Sequence, residues 1–210
     1  MATKNTTLDA FSQVLASSQP APGGGSAAAL AGSLAASLVC MVSALTIGKK
    51  AYLSVEREMQ SILIEATQLR DQLLEEIDTD TEAFNHVMAA MKLPQTTEAE
   101  KTERRVNLEK ALKHATEVPF AVAKICERVL ELTKVVAEKG NKNAVSDAGA
   151  AALLGESALQ TALLNVDINL VWITDAAFKS EFSQKRADLA QSALQKRTEI
   201  LNTVQMRLKG

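Results

Sequence analysis

Asp80 has the wrong neighbours for a surface acid. Ile77, Phe84, Val87, Met88 and Met91 form an apolar stripe at helical spacing. At about 100° per residue, Asp80 falls inside that stripe, roughly 60° from Ile77. Asp78 lies well off it, and Asn85 faces the wet side. A carboxylate drawn into apolar surroundings is costly unless paired, and its pKa rises. That is what acid–base chemistry near neutral pH requires. The plainer alternative is an Asp bonded to a neighbouring helix end or to a Lys.

A second candidate is the turn Gly23-Gly24-Gly25-Ser26, which follows Pro20-Ala21-Pro22. Prolines hold the approach extended, and glycines leave no side chain between main chain and a bound group. Ser26 reads as an N-cap for an uncharged segment that ends at Lys49 and Lys50. A helix N-terminus there would suit an acyl, carboxylate or phosphate oxygen. A nucleotide loop fails on context. The preceding segment, 8–16, reads as helix rather than strand, and no Lys follows the glycines. The alternative is a flexible turn before a buried helix.

Asn141, Asn143, Ser146 and Asp147 form a third polar group after Gly140, leading into an apolar helix that carries Asn165, Asp167, Asn169 and Asp175. Asn165 and Asn169 are i,i+4 and share a face with Trp172, a hydrogen-bonding wall for a flat heterocycle. Capping by Asn143 or Ser146, with amide bonds between helices, is the structural alternative. Lys49 and Lys50 sit where cations suit a helix C-terminus. His86 and His114 read as solvated, and Cys40 and Cys126 as buried, inert thiols. No His, Cys or Glu grouping has metal spacing, and no Ser sits with His and Asp as a nucleophile.

These residues need helices to hold them. The 3.6 period recurs throughout, and it predicts helices over 6–17, 26–47, 51–92, 97–139, 143–178 and 180–208. Pro94 ends the third, and Thr97 with Glu100 forms a capping box for the fourth. Pro119 should kink or split that helix, and Gly140 should close it after Lys139. The last helix carries Leu189, Ala193, Ile200, Val204 and Leu208 on one side. No repeat or linker interrupts the 210 residues, so the expected architecture is all-α: one domain, 1–210, a bundle of long antiparallel helices.

Aromatics are only 3% of the residues, so small side chains must let helices approach closely. Ala29, Ser33, Ala36 and Cys40 recur along one face of the second helix, which implies a homodimer paired there. The net charge of −2 and scattered basic residues argue against a nucleic-acid partner. Residues 26–47 are long enough to span a membrane, but Ala, Gly and Ser dilute them, and no membrane association is expected. With no charged leader and cleavage site, a cytoplasmic location is expected.

Several separated stretches occur together in order: Pro20 to Leu30, Leu45 to Tyr52, Asp78 to Phe84 with Val87-Met88, Leu93-Pro94, Glu138 to Gly149, and Asn165 to Asn169. With these the chain resembles the formiminotetrahydrofolate cyclodeaminase / methenyltetrahydrofolate cyclohydrolase family over nearly its full length. One departure is Ala51, where members often carry a third Lys. The resemblance implies an all-helical homodimer that acts on a folate-borne one-carbon unit with no metal or cofactor. It attributes catalysis to an Asp of the Asp78-x-Asp80 segment, and helical phase selects Asp80. Gly23, Gly24, Gly25, Ser26, Lys49, Lys50, Asn141, Asn143, Ser146, Asp147 and Asn165 are the implied substrate-binding residues, with the two lysines on the glutamate tail.

These 210 residues hold no counterpart of the transferase domain fused to the cyclodeaminase in animals. Stand-alone bacterial members include cyclohydrolases. The expected reaction is therefore hydrolysis of 5,10-methenyltetrahydrofolate to 10-formyltetrahydrofolate. Cyclodeamination of formiminotetrahydrofolate is the alternative, and a non-catalytic helical scaffold the competing reading.

Overall fold

The computed structural model describes residues 3–209. Six α-helices follow in order: α1 Leu8–Leu15, α2 Gly24–Thr46, α3 Glu56–Met91, α4 Glu98–Lys139, α5 Val145–Trp172 and α6 Ala176–Lys209. Short 3-10 turns occupy Thr3–Asn5, Lys50–Val55 and Lys142–Ala144, and the described residues include no strand. The class is all-α, as the periodicity requires.

Cross-helix contacts give the directions. Lys139 meets Glu58 and Arg128 meets Glu65, so α4 runs antiparallel to α3. Ser26 meets Asp80 and Cys40 meets Thr67, so α3 is antiparallel to α2. Leu45 and Asn141 join at one end of α2, and Gly24 lies against Asn165 at the other, so α5 also opposes α2. Short connections between long helices leave them no other choice.

The centre is built from small side chains. Ala28, Ala35, Val39 and Val42 of α2 meet Val129, Leu130 and Val136 of α4 and Ala151, Ala152 and Leu159 of α5 in one core. Among the described residues α2 is the one helix long and apolar enough to cross a membrane. Here it packs against α3, α4 and α5. That burial corrects one expectation: Ala29, Ser33 and Ala36 are spent on contacts inside the chain, so the predicted face is not the one open to a partner.

Other differences are local and have clear causes. The capping box at Thr97 and Glu100 forms as predicted. Pro119, however, neither splits α4 nor ends it. The predicted break between the last two helices moves from 178–180 to 173–175. There Asp175 accepts the Ala177 and Phe178 N–H groups as an N-cap, while Glu109 accepts those of Thr174 and Asp175. The third helix begins five residues late because Lys50–Val55 winds as 3-10 turns. Gly140 does close α4, where a Cβ would press to 2.5 Å from the Val136 carbonyl. Leu208 is exposed, unlike the rest of its predicted stripe.

Candidate active site

α2 begins two residues before the predicted position. Gly23 is its N-cap and supplies no side-chain bond, so the first N–H groups of α2 need another acceptor. Asp80 of α3 provides it. Its carboxylate accepts from the Ser26 N–H and, at 2.8 Å, from the Ser26 hydroxyl. Ser26 is therefore not the cap but the third helical residue, and it is fully buried. The neighbouring-helix-end alternative for Asp80 is thus realised, and the same carboxylate also opens into a cavity.

Gly25 makes this approach possible. A Cβ built on Gly25 would lie 2.0 Å from Asp80 Oδ1 and 2.5 Å from its Cγ. No side chain larger than hydrogen fits while Asp80 stays there.

Burial pushes the Asp80 carboxyl above its usual range, and the two Ser26 bonds oppose that rise. One turn earlier, Glu76 is also held above the usual carboxylate range, by burial first and by the charge of Asp80 second. The sequence reading did not single out Glu76. Two carboxylates at i,i+4 on one helix were the available signal.

Ser26 can follow either protonation state of Asp80. Its Oγ also lies 3.2 Å from the Ile77 carbonyl. With Asp80 ionised, the hydroxyl donates to the carboxylate. With Asp80 protonated, Ser26 accepts from it and donates to Ile77 instead. Ser26→Ala removes a donor that favours the ionised form. The acid limb of the kcat–pH profile is therefore expected to move to higher pH, since the remaining burial raises the carboxyl further. An unmoved limb would separate Ser26 from the titration of Asp80.

The cavity, 320 Å³ in volume, lies between the α2 N-terminus, α3, α4 and α5. Pro20, Ala21 and the three glycines line one side. Ala83, Phe84, Val87, Met88 and Met91 line the second, so the stripe from Phe84 to Met91 borders a cavity while Ile77 packs in the core. Asn165, Ile168, Asn169 and Trp172 of α5 form the third, with Leu112 and Ala115 of α4 closing it. Apolar walls, two amides and one raised carboxyl suit a heterocycle that needs a proton moved.

The remaining predicted residues lie elsewhere. Lys49, Lys50, Asn143 and Ser146 are exposed, beyond the C-terminus of α2, with Asn141 and Asp147 beside them. The ends of α2 are about 33 Å apart at 1.5 Å per residue, so one chain does not bring these residues to Asp80. Asn141 there works as a clasp. Its N–H donates to Thr46 Oγ1, its side chain donates to the Leu45 carbonyl, and its Oδ1 accepts from the Asn143 N–H. Gly48 turns the chain just before the lysines, with φ of 75°.

Among the described residues, no three His, Cys, Asp or Glu side chains gather as a metal site. His86 and His114 are exposed as expected, and Cys126 is buried with its thiol pushed up to about 12. Cys40 is only partly buried, against Thr67.

An all-helical bundle with an acid poised over a glycine turn defines a class, and comparison with known proteins gives its membership. The formiminotransferase-cyclodeaminase family profile matches residues 7–188, and the chain belongs to that family. It is 46% identical over 177 residues to a protein of Methylorubrum extorquens named methenyltetrahydrofolate cyclohydrolase, covering 84% of this chain and 85% of that one. It is 38% identical over 188 residues to the formimidoyltransferase-cyclodeaminase of Gallus gallus, covering 90% of this chain but 35% of that protein. The crystal structure of a formiminotetrahydrofolate cyclodeaminase from Thermotoga maritima superposes with a TM-score of 0.88 at 30% identity, covering 96% of this chain and 97% of that one.

Proposed function

We propose that this protein is a methenyltetrahydrofolate cyclohydrolase, converting 5,10-methenyltetrahydrofolate and water to 10-formyltetrahydrofolate in the cytoplasm, without a metal or cofactor. The observation that carries the proposal is the Asp80 carboxyl, raised by burial and opening into a cavity with apolar and amide walls. The likeness to the Methylorubrum protein supports it.

The methenyl bridge is an amidinium cation, so its carbon is already electrophilic. Ionised Asp80 stabilises that charge, then takes a proton from water as its oxygen bonds to the carbon. The carbon–N5 bond breaks as Asp80 returns the proton to N5. Loss of the hydroxyl proton to solvent leaves the formyl group on N10.

Loss of the substrate's near-UV absorbance above the spontaneous rate tests the proposal. The Thermotoga likeness favours a second reading, cyclodeamination. Ammonia released from formiminotetrahydrofolate, with no hydrolysis of the methenyl compound, selects it. Silence in both assays leaves a scaffold.

We further propose a homodimer, on a basis different from the small-residue face. Leu34, Met41 and Leu45 on α2 and Leu153, Leu164 and Ile168 on α5 leave apolar surface exposed along two adjacent helices. Two copies paired antiparallel across this face bring Lys49 and Lys50 of one to the cavity of the other. The lysines then hold the anionic glutamate tail, with Asn141, Asn143, Ser146 and Asp147 nearby and Asn165 on the cavity wall. Lys49→Ala/Lys50→Ala is expected to raise KM, most for polyglutamylated substrate. Mixed with the Asp80→Asn protein under subunit exchange, it should recover about a quarter of parental activity, because half the dimers are mixed and carry one intact site. No recovery, or unchanged KM, would remove the lysines from the site.

A further inference from the structure

Pro119 lies inside α4 and has no N–H, so the carbonyl of Ala115, four residues earlier, loses its helical partner. α4 nevertheless continues to Lys139, and a side chain from another helix fills the gap. Asn169 Nδ2 of α5 donates to the Ala115 oxygen at 2.6 Å. Both residues line the cavity. The bond fixes the amide, because the flipped arrangement would set two oxygens against each other at the same distance. Asn165 is anchored in the same sense, its Nδ2 donating to the Thr161 carbonyl at 2.9 Å. Each amide thus keeps its carbonyl oxygen as an acceptor, one helical turn apart on the same wall.

We propose that Asn169, locked by the carbonyl that Pro119 leaves unpaired, determines specificity by accepting a hydrogen bond from a ring or amino N–H of the bound heterocycle. Asn165 offers the neighbouring acceptor. This rests on the functional reading above, and it identifies the ligand edge that faces α5 as one carrying donors, as a reduced pterin does. An anchored amide rejects a ligand lacking the donor because its oxygen is then left unpaired in the cavity. Pro119 touches no ligand and acts as a positioning residue.

Trp172 is the chain's one tryptophan and lines the cavity, so its fluorescence quenching reads binding independently of turnover. The probes are tetrahydrofolate and analogues that each lack one donor: 2-desamino, N3-methyl and N8-methyl. At least one analogue is expected to bind the parent about tenfold or more weakly than tetrahydrofolate. Asn169→Leu is expected to abolish that discrimination. It also orphans the Ala115 carbonyl, so the double variant Pro119→Ala/Asn169→Leu supplies the control. Ala at 119 restores the helical N–H, so thermal stability returns while the discrimination stays lost.

A parent that binds all three analogues as tightly as tetrahydrofolate overturns the assignment, and so does discrimination that persists in both variants for every analogue. Recovery of discrimination in the double variant does so as well, since it would make Asn169 purely structural. A parent that neither binds tetrahydrofolate nor turns over either folate overturns the functional reading itself, and the assignment with it.

Discussion

Asp80→Asn is expected to lower turnover of methenyltetrahydrofolate about 100-fold or more while folate binding persists. Asn keeps the shape and still accepts from Ser26, so the α2 N-terminus remains capped. Only the proton is lost. The same change has a second consequence, opposite in direction. Burial raises the Asp80 carboxyl in the folded state, so folding takes up a proton at pH values between the unfolded and folded pKa. The stability from that proton is fully present below the unfolded value and is lost as pH rises through the folded value. At neutral pH the Asn variant is therefore expected to melt at or above the parental temperature, with the difference shrinking below the ordinary carboxylate range. Thermal melts at two pH values and steady-state kinetics check both halves. If Asp78→Asn proves crippling and Asp80→Asn mild, the assignment moves by two residues.

Gly25→Ala is expected to be nearly as damaging, although it adds one methyl group and touches no titrating atom. Helix propensity alone favours Ala over Gly by about 1 kcal/mol inside a helix. Overlap decides the outcome instead, because the new methyl would stand 2.0 Å from Asp80 Oδ1 and 2.8 Å from Oδ2. The carboxylate must leave Ser26 and the cavity wall, so kcat should fall about 100-fold. Gly24→Ala supplies the comparison. Its added methyl meets the Asn165 amide at 3.3 Å, which a shift of a few tenths of an ångström relieves. It is expected to raise KM modestly and leave kcat within about tenfold. Parental kcat in Gly25→Ala would show that Asp80 need not lie against α2 during turnover.

Asp80 was legible in the sequence because helical phase is a local property. The stripe from Ile77 to Met91 predicts which side of α3 faces inward, and Asp80 lies on it. Ser26 was misread for the complementary reason. A serine after three glycines resembles an N-cap, but the acceptor that caps α2 comes from a residue 54 positions away. Asn169 carried a partial signal, sharing a face with Asn165 and Trp172. Its bond to Ala115 depends on where α4 and α5 cross, and no local pattern contains that.

The sequence by itself determined the all-α class, most helix limits, the half-buried carboxylate and the family. Each follows from periodicity, caps or ordered motifs along the chain. Only tertiary structure decided which predicted residues meet. Antiparallel packing of α2 with α3 and α5 brings Gly25, Asp80 and Asn165 to one cavity. The length of α2 keeps Lys49, Lys50 and the Asn141 cluster at the other end. It also decided that Ala29, Ser33 and Ala36 are consumed inside the bundle. Small residues permit close approach without naming the helix that approaches, and here intramolecular neighbours reach them first because short connections hold them at high effective concentration.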